Sequence, residues 1–158
     1  IRILRNYGSK ERYFNDLIGY NNRMDECQAA FLNVSLKYLD KWTEQRRQVA
    51  QWYDLYLKNF PYITTPINRT SHVYHLYVIR TRCRDELKKH LAENGIDTLI
   101  HYPIPPHLQK AYKFLGYKKG DFPIAEEMAD TCLSLPLYPG LEEIEVKKIC
   151  DIIKQKFV

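Results

Sequence analysis

Residues 18–30 read Ile-Gly-Tyr-Asn-Asn-Arg-Met-Asp-Glu-Cys-Gln-Ala-Ala, and the chain changes there from irregular to helical. A loop with a glycine hinge carries two amides and the guanidinium of Arg23, and it runs directly into a predicted helix. Asp25 and Glu26 fall in the first turn of that helix, where carboxylates suit the positive end of the helix dipole. The residues before this stretch resemble the end of another structure, and the residues after it resemble one compact module.

The composition is that of a soluble globular protein. The chain has 158 residues, of which 45% are hydrophobic and 27% charged, which is enough for one domain with a substantial core. No apolar run approaches the ~18–20 residues that a membrane-spanning helix needs, and the N-terminus lacks the features of a signal peptide. We therefore expect a cytoplasmic protein with no membrane partner.

Charge and cysteine usage argue against two further classes. The formal net charge is +5, but basic and acidic residues are interspersed, which weakens a nucleic-acid hypothesis and leaves an anionic ligand as an alternative. None of the 13 tyrosines falls in a recognisable RNA-binding motif. The four cysteines form no CxxC pair and no zinc-binding spacing. Neither a nucleic-acid partner nor a metal site is expected.

The first 60 residues show two helical signals. Residues 1–7 resemble the end of a helix that Gly8 caps, so the chain is expected to begin inside an element, and residues 9–20 are predicted as a loop. From Met24 the apolar residues recur with a helical period as far as Pro61, which prevents further extension. Because this is long for a globular helix, we predict one long helix bent near Asp40.

The remainder of the chain alternates between strand and helix patterns. Three stretches are typical of strands, at residues 73–80, 97–102 and 132–137. Helices are predicted at residues 84–94, 107–114, 123–131 and 141–157. The order predicts an α/β fold with a three-stranded, mainly antiparallel sheet, helices packed on it, and the long bent helix before it.

The first candidate site is the polar loop formed by Asn21, Asn22 and Arg23. Amides and a guanidinium beside a helix N-terminus suit a phosphate or carboxylate group. A structural role is equally supported by these residues alone, since the amides could cap the following helix and Arg23 could pair with Asp25.

The second candidate site is the segment His-Tyr-Pro-Ile-Pro-Pro-His at residues 101–107. His101 and Tyr102 leave a predicted strand, and three prolines stiffen the corner that follows. Ligand-contacting residues of open sheets lie at such positions. The alternative is a proline-stiffened turn with Tyr102 packed beneath it.

Several short motifs follow one another along the chain. They are Leu-Arg-Asn-Tyr-Gly-Ser at 4–9, Gly-Tyr-Asn-Asn-Arg-Met-Asp-Glu-Cys-Gln-Ala-Ala at 19–30, Leu-Asp-Lys-Trp at 39–42, Arg-Arg at 46–47, His-Leu-Tyr-Val-Ile-Arg at 75–80, Ile-His-Tyr-Pro at 100–103 and Leu-Ser-Leu-Pro-Leu-Tyr-Pro at 133–139. Together they resemble the DegT/DnrJ/StrS-type sugar aminotransferases, in order and over essentially the whole chain.

The resemblance implies a fold and an activity. The family is similar to the aspartate-aminotransferase (fold type I) enzymes, which use pyridoxal 5'-phosphate. Its members transfer an amino group, typically from glutamate, to a nucleotide-linked keto sugar, and they usually work as homodimers. The chain resembles only the C-terminal part of a family member, so residues 1–37 would be a remnant of the large domain with its linking helix, and residues 38–158 the small domain.

The resemblance also implies roles for the candidate residues. Asn21 would reach the cofactor phosphate, commonly that of the neighbouring subunit, with Arg23 near the phosphate or the substrate. His101 and Tyr102 would line the sugar-nucleotide side of the cleft. The lysine that carries the cofactor would lie outside this chain, so the chain alone is expected to be inactive. The alternative is a free-standing, non-catalytic α/β module for dimerisation or ligand binding.

Overall fold

The computed structural model describes residues 1–11, 13–67 and 71–157. The chain divides into two compact units, Ile1–Asp40 and Lys41–Val158. Within the described ranges, no helix is both long enough and apolar enough to cross a membrane. The assignment of residues 1–37 and 38–158 to two domains of a longer enzyme stays a prediction.

The first unit contains a short hairpin in place of the predicted loop. Strand β1 (Ser9–Glu11) pairs antiparallel with β2 (Phe14–Asn15). Residues 1–7 form a turn, and the prediction that they end a helix was wrong. The backbone reverses because Tyr7 and Gly8 both adopt a positive φ, 59° and 78°, which ends any helical path.

The polar loop is held by backbone hydrogen bonds to this turn. Tyr20 N–H donates to the Leu4 carbonyl at 2.7 Å, and Asn22 N–H donates to the Arg5 carbonyl at 3.0 Å. In the other direction, Tyr7 N–H donates to the Tyr20 carbonyl at 3.0 Å. Residues 20–22 are therefore fixed against residues 4–7 rather than free to move as an open loop.

Two glycines make this approach sterically feasible. A Cβ atom on Gly19 would overlap the backbone nitrogen of Gly8 and lie 2.5 Å from the carbonyl carbon of Tyr7. A Cβ atom on Gly8 would overlap the carbonyl oxygen of Leu17. We call this contact the glycine crossing; it allows the two backbones to come closer than any side chain would permit.

Two helices follow instead of one long helix with a bend near Asp40. Helix α1 spans Glu26–Leu36 and α2 spans Leu39–Leu57. The intervening residues Lys37 and Tyr38 donate hydrogen bonds three residues back, at 3.2 and 3.0 Å, so the α-helical ladder stops there. No residue of α1 is buried.

The sheet of the second unit has two strands. Strand β3 (Tyr77–Arg80) pairs antiparallel with β4 (Cys132–Leu135), with Tyr77 opposite Leu135. The predicted third strand at residues 97–102 was wrong, since in the described chain it contributes only a bridge between Leu99 and Ser134. The prolines that follow remove backbone donors and turn the chain away, so the pairing does not extend.

The three later helices agree with the sequence pattern to within two residues at each end. They are α3 (Arg84–Glu93), α4 (Pro123–Thr131) and α5 (Glu143–Gln155). Helix α3 ends in a Schellman motif, because Gly95 has a φ of 74° and Ile96 N–H donates to the Leu91 carbonyl at 2.9 Å. In place of the helix predicted at 107–114, the chain forms two 3₁₀ turns, Pro106–Leu108 and Lys110–Leu115.

The core of the second unit lies between α2, the β3–β4 pair, α3 and α5. Its fully buried side chains include Val49, Tyr53, Leu57, Tyr77, Ile79, Leu87, Leu91, Leu133, Val146 and Ile153. Burial of each large aliphatic side chain stabilises the fold by about 1.5–3 kcal/mol.

Two stacked tyrosines bring hydroxyl groups into this core. The rings of Tyr53 and Tyr77 lie 4.8 Å apart, and both hydroxyls donate hydrogen bonds, to the Pro136 carbonyl at 2.9 Å and to Asp54 Oδ1 at 2.6 Å. Burial raises the pKa of both tyrosines and that of the Asp54 carboxyl. The hydroxyl groups of Tyr53 and Tyr77 are therefore satisfied inside the apolar core.

Replacing Gly19 with alanine should open the first unit, because the three atoms nearest to the new methyl group all belong to the backbone. We expect a cost of about 1–3 kcal/mol, as for other overpacked sites. The amides of Tyr7 and Asn22, which bond beside the crossing, should exchange with deuterium faster by roughly 5- to 150-fold.

Gly116→Ala is the matched control. A methyl group there meets nothing within 4 Å, and only the positive φ of 78° opposes it. This variant should leave the exchange of Tyr7 and Asn22 unchanged. Equal protection of these amides in Gly19→Ala and the parent chain would contradict the steric role of the glycine crossing.

Candidate functional site

Arg23 is the centre of the polar loop in the first unit. Its Nε and Nη2 atoms donate to Asn21 Oδ1 at 3.3 and 3.2 Å, and Nη2 also lies 3.3 Å from the Tyr7 hydroxyl. Its Cζ atom lies 5.4 Å from the centre of the Tyr7 ring, a cation–π contact. The guanidinium is thus oriented by neutral partners.

The capping role belongs to Asp25 and not to the amides. Asp25 Oδ1 accepts a hydrogen bond from Cys27 N–H at 2.9 Å and serves as the N-cap of α1. Among the described residues, Arg23 makes no ion pair with Asp25 or another carboxylate. Both parts of the structural alternative for Asn21, Asn22 and Arg23 therefore lack support in the structure.

A cavity of about 450 Å³ opens beside Arg23. Its lining consists of polar and aromatic side chains: Asn6, Tyr7, Ser9, Tyr13, Asn15 and Arg23. The lining offers a guanidinium, hydroxyl groups and amides, and none of its described residues carries a carboxylate. Such a donor set suits an anion with several acceptor oxygens, such as a phosphate.

The local sequence pattern does not mark Tyr7, Ser9 and Asn15 as members of this cluster. The glycine crossing and the hairpin bring them beside Arg23, and Ser9 Oγ donates to Asn15 Oδ1. The motif at residues 4–9 was the available signal, but it carries no information on which residues face the loop. Asn21 contacts Arg23 rather than lining the cavity itself.

His101 is anchored to the sheet of the second unit. Its Nδ1 atom lies 2.8 Å from Ser134 Oγ, and Ser134 is buried in β4 next to Leu99. Cys132 Sγ contacts the His101 carbonyl at 3.6 Å. The half-buried imidazole is therefore fixed through one ring nitrogen, and its Nε2 atom has no hydrogen bond within the described part of the chain.

Tyr102 occupies the opposite environment. Its side chain is 73% exposed, so the alternative that it packs beneath a proline turn was wrong. The peptide bond between His101 and Tyr102 is cis, and the two rings meet edge to face at 5.7 Å. The corner thus presents one anchored ring and one exposed ring.

His107 and Glu126 form a buried polar pair further along this corner. His107 Nε2 lies 3.0 Å from Glu126 Oε1, and their side chains are only 7% and 11% exposed. Glu126 also accepts hydrogen bonds from Gly120 N–H at 2.8 and 3.0 Å and from Phe122 N–H at 3.4 Å. The Gly120 N–H lowers the pKa of Glu126 most, and His107 lowers it further against the effect of burial.

Glu126 was not recognised as a site residue from the sequence, since it reads there as an ordinary first-turn glutamate of α4. No three or more His, Cys, Asp or Glu side chains in the described ranges are placed to hold a metal ion. The Asn21–Arg23 and His101–Tyr102 clusters belong to different units.

The chain is similar to one family of aminotransferases and to several known proteins. The sequence pattern of the DegT/DnrJ/EryC1/StrS aminotransferase family matches residues 1–154. The erythromycin biosynthesis sensory transduction protein EryC1 of Saccharopolyspora erythraea is 48% identical over 143 residues, which are 89% of this chain and 39% of that protein. A dTDP-3-amino-3,6-dideoxy-alpha-D-galactopyranose transaminase of Aneurinibacillus thermoaerophilus is 41% identical over 156 residues, 98% of this chain and 42% of that protein.

Solved structures show the same similarity. DesV of S. venezuelae, crystallised with a ketimine intermediate, superposes with a TM-score of 0.93 at 42% identity, covering 98% of this chain and 42% of its own. Spr1654 from Streptococcus pneumoniae in its PLP form superposes with a TM-score of 0.84 at 27% identity, again over 98% and 42%. The chain therefore spans about two fifths of the length of the relatives it matches.

The lowered pKa of Glu126 predicts an acid-sensitive contribution to stability. A carboxyl whose folded pKa lies below its unfolded pKa stabilises the fold above the unfolded value and loses this effect as the pH falls through the folded value. The free energy of unfolding should therefore fall with acidification less steeply in Glu126→Gln than in the parent chain. Urea titrations at a series of pH values measure this slope.

Glu127→Gln is the control, because this neighbouring side chain is 66% exposed and lies 3.8 Å from Arg80 in a weak surface pair. It should retain the parental pH profile. Parallel profiles for the parent chain and Glu126→Gln would refute the proposed contribution of this carboxylate.

Proposed function

Because this chain belongs to the DegT/DnrJ/EryC1/StrS aminotransferase family, we propose that it is the C-terminal portion of a sugar aminotransferase dependent on pyridoxal 5'-phosphate. The intact enzyme would transfer an amino group, with glutamate as donor, to a nucleotide-linked keto sugar in the biosynthesis of a deoxyamino sugar or polysaccharide. The chain covers 42% of the A. thermoaerophilus transaminase, which supports its reading as part of a longer enzyme.

The surroundings of Arg23 support a specific site for the cofactor phosphate. The Arg23 guanidinium is held by Asn21 Oδ1 and Tyr7 OH beside a cavity whose described lining residues include no carboxylate. A phosphate group fits this donor set, because a guanidinium offers two parallel N–H donors to its oxygens. We assign Arg23 to the cofactor phosphate and Asn21 to the same group as a positioning residue and amide donor.

The arrangement of Arg23 reduces the cost of binding an anion. A free arginine side chain loses much conformational freedom when it is ordered by a ligand, whereas Arg23 is already oriented by three hydrogen bonds and the Tyr7 ring. The glycine crossing holds the backbone of Tyr7 and residue 20 together. The loop therefore presents a preformed binding surface.

His101 and Tyr102 are assigned to the sugar-nucleotide side of the cleft. The Nδ1 atom of His101 is hydrogen-bonded to Ser134. Its Nε2 atom could therefore form a hydrogen bond with a hydroxyl or carbonyl group of the substrate. The exposed Tyr102 ring offers an apolar face and a hydroxyl group. Both residues would contact the substrate rather than carry the transferred amino group.

Pyridoxal phosphate, when bound, supplies the electron sink that amino transfer requires. The lysine that carries it is assigned to the part of the longer enzyme beyond these 158 residues. We place residues 1–37 with the large domain and residues 38–158 in the small domain. The working enzyme is proposed to be a cytoplasmic homodimer in which Asn21 serves the cofactor of the neighbouring subunit.

Removing the phosphate contacts should weaken cofactor retention in the longer enzyme. A hydrogen bond to a charged group contributes about 1.5–3 kcal/mol, so Arg23→Gln should raise the dissociation constant for pyridoxal phosphate by roughly 10- to 150-fold. Asn21→Ala should act in the same direction by about tenfold, because it removes the group that orients Arg23. Equilibrium dialysis with the cofactor measures both.

Asn22→Ala provides the control, since Asn22 is an adjacent exposed amide whose side chain, among the described contacts, makes no hydrogen bond to Arg23 and does not line the cavity. Its cofactor affinity should equal that of the unmodified enzyme. Unchanged affinity in both Asn21→Ala and Arg23→Gln would refute the assignment of the phosphate site.

The 158-residue chain alone should transfer no amino group from glutamate to a keto sugar, because the cofactor-bearing lysine is assigned elsewhere. The amount of pyridoxal phosphate that remains with the chain after gel filtration should also be negligible. Measurable turnover by the purified chain would show that the catalytic groups lie within these residues and would overturn this division of the enzyme.

A further inference from the structure

A second cavity, of about 260 Å³, lies beyond the His101–Tyr102 corner. Its lining is aromatic and aliphatic: Pro106, His107, Tyr112, Leu115, Tyr117 and Phe122. The one imidazole among them belongs to His107, whose Nε2 atom lies 3.0 Å from Glu126 Oε1. We call this cavity the aromatic pocket.

Its walls are fixed by hydrogen bonds. Glu126 binds the His107 ring together with the backbone N–H groups of Gly120 and Phe122. Lys118 N–H donates to Asp121 Oδ2 at 2.8 Å and closes the loop between them. The carboxylate of Glu126 therefore connects both sides of the pocket, and the pocket is preformed in the absence of a ligand.

The aromatic rings form an ordered surface. The Phe122 ring lies 4.8 Å from the His107 ring and 5.1 Å from the Tyr117 ring, the latter at an interplanar angle of 74°. The side chains of Tyr112, Tyr117 and Phe122 nevertheless remain 43–48% exposed. Aromatic faces that are fixed and open to solvent are suited to stacking against a planar group.

Size and charge narrow the class of ligand. The cavity is smaller than the ~300–1,000 Å³ pockets that enclose a whole drug-sized molecule, so it suits one ring system of a larger ligand. Its lining offers no free positive charge for a phosphate or carboxylate. The group that enters should therefore be planar and uncharged, with any anionic part of the ligand outside.

The pocket is connected to the proposed substrate residues by a short proline-rich segment. Only residues 103–105 separate Tyr102 from Pro106, so the two Cα atoms lie at most about 14 Å apart. A nucleotide-linked sugar has the same arrangement of parts, with a sugar at one end and a planar base at the other.

We propose that the aromatic pocket binds the nucleobase of the nucleotide-linked sugar by stacking, while His101 and Tyr102 contact the sugar. The proposal rests on the proposed function and adds the location of the base. Because stacking does not distinguish bases by hydrogen bonding, thymidine and uridine diphosphates should bind with affinities within a few-fold of each other. Inorganic pyrophosphate, which lacks the base, should bind much more weakly.

The test is titration of the 158-residue chain with thymidine 5'-diphosphate, uridine 5'-diphosphate and pyrophosphate, followed by NMR. Saturable shifts are expected for both nucleotides, and Tyr117→Ala and Phe122→Ala should each raise the dissociation constant at least about fivefold. Phe114→Ala is the matched control, since Phe114 is an aromatic residue of the same segment that is 81% exposed and does not line the pocket. It should bind as the parent chain does.

Tyr117→Leu separates loss of stacking from loss of folding, because it removes the ring but keeps a large apolar side chain. A loss of affinity in this variant at an unchanged melting temperature supports stacking. Parental affinity in Tyr117→Leu and Phe122→Ala, or pyrophosphate binding as tight as that of the nucleotides, would overturn the proposal. The proposal would also be overturned if the chain formed a dimer whose interface buried the pocket and if Tyr117→Ala dissociated that dimer.

Failure of the proposed function is read from a different measurement. Cofactor retention in Asn21→Ala and Arg23→Gln concerns a separate set of residues in the first unit and does not involve the aromatic pocket. Suppose that Asn21→Ala and Arg23→Gln weaken cofactor retention, but that substitutions of Tyr117 and Phe122 leave nucleotide affinity unchanged. This combination would refute the base site and leave the proposed function standing.

Discussion

The antiparallel pairing of β3 with β4 is the interaction on which the second unit depends. It places Tyr77 opposite Leu135 and thereby builds the floor of the core on which α2, α3 and α5 pack. The same pairing positions Ser134, which bonds to Leu99 through the backbone and to His101 through its hydroxyl group. The orientation of the candidate substrate-binding histidine is therefore a consequence of how the core strands are paired.

Both candidate sites show the same structural principle, in which a polar side chain is oriented by a partner that is itself immobile. Arg23 is oriented by Asn21 and Tyr7, whose backbones are fixed by the glycine crossing. His107 is oriented by Glu126, which is buried and accepts hydrogen bonds from two backbone N–H groups as well. Such support by a second set of residues reduces the entropy that a ligand would otherwise lose on binding.

The two cavities favour different kinds of chemical group. The cavity beside Arg23 is lined by a guanidinium, and its described lining residues include no carboxylate. The aromatic pocket has an apolar lining, and the one histidine in that lining is hydrogen-bonded to Glu126. An anion is favoured at the first and a planar neutral group at the second, because burying an unpaired charge in an apolar pocket is costly. The first cavity therefore suits the phosphate of the proposed cofactor, and the second suits the base of the proposed substrate.

The sequence by itself determined the features that depend on neighbouring residues. Helices α3, α4 and α5 follow from apolar periodicity, from the proline at the start of α4 and from Gly95 after α3, and the Asn21–Arg23 loop is recognisable from its composition. The tertiary structure alone decided the contacts of Ser134 with His101 and of Glu126 with His107, whose partners are 33 and 19 residues apart. It also decided that Gly8 meets Gly19, and that residues 97–102 contribute one bridge rather than a strand. The physical reason is that backbone propensity and capping act within a turn or two of helix, whereas close approach and polar pairing depend on which distant segments the core brings together.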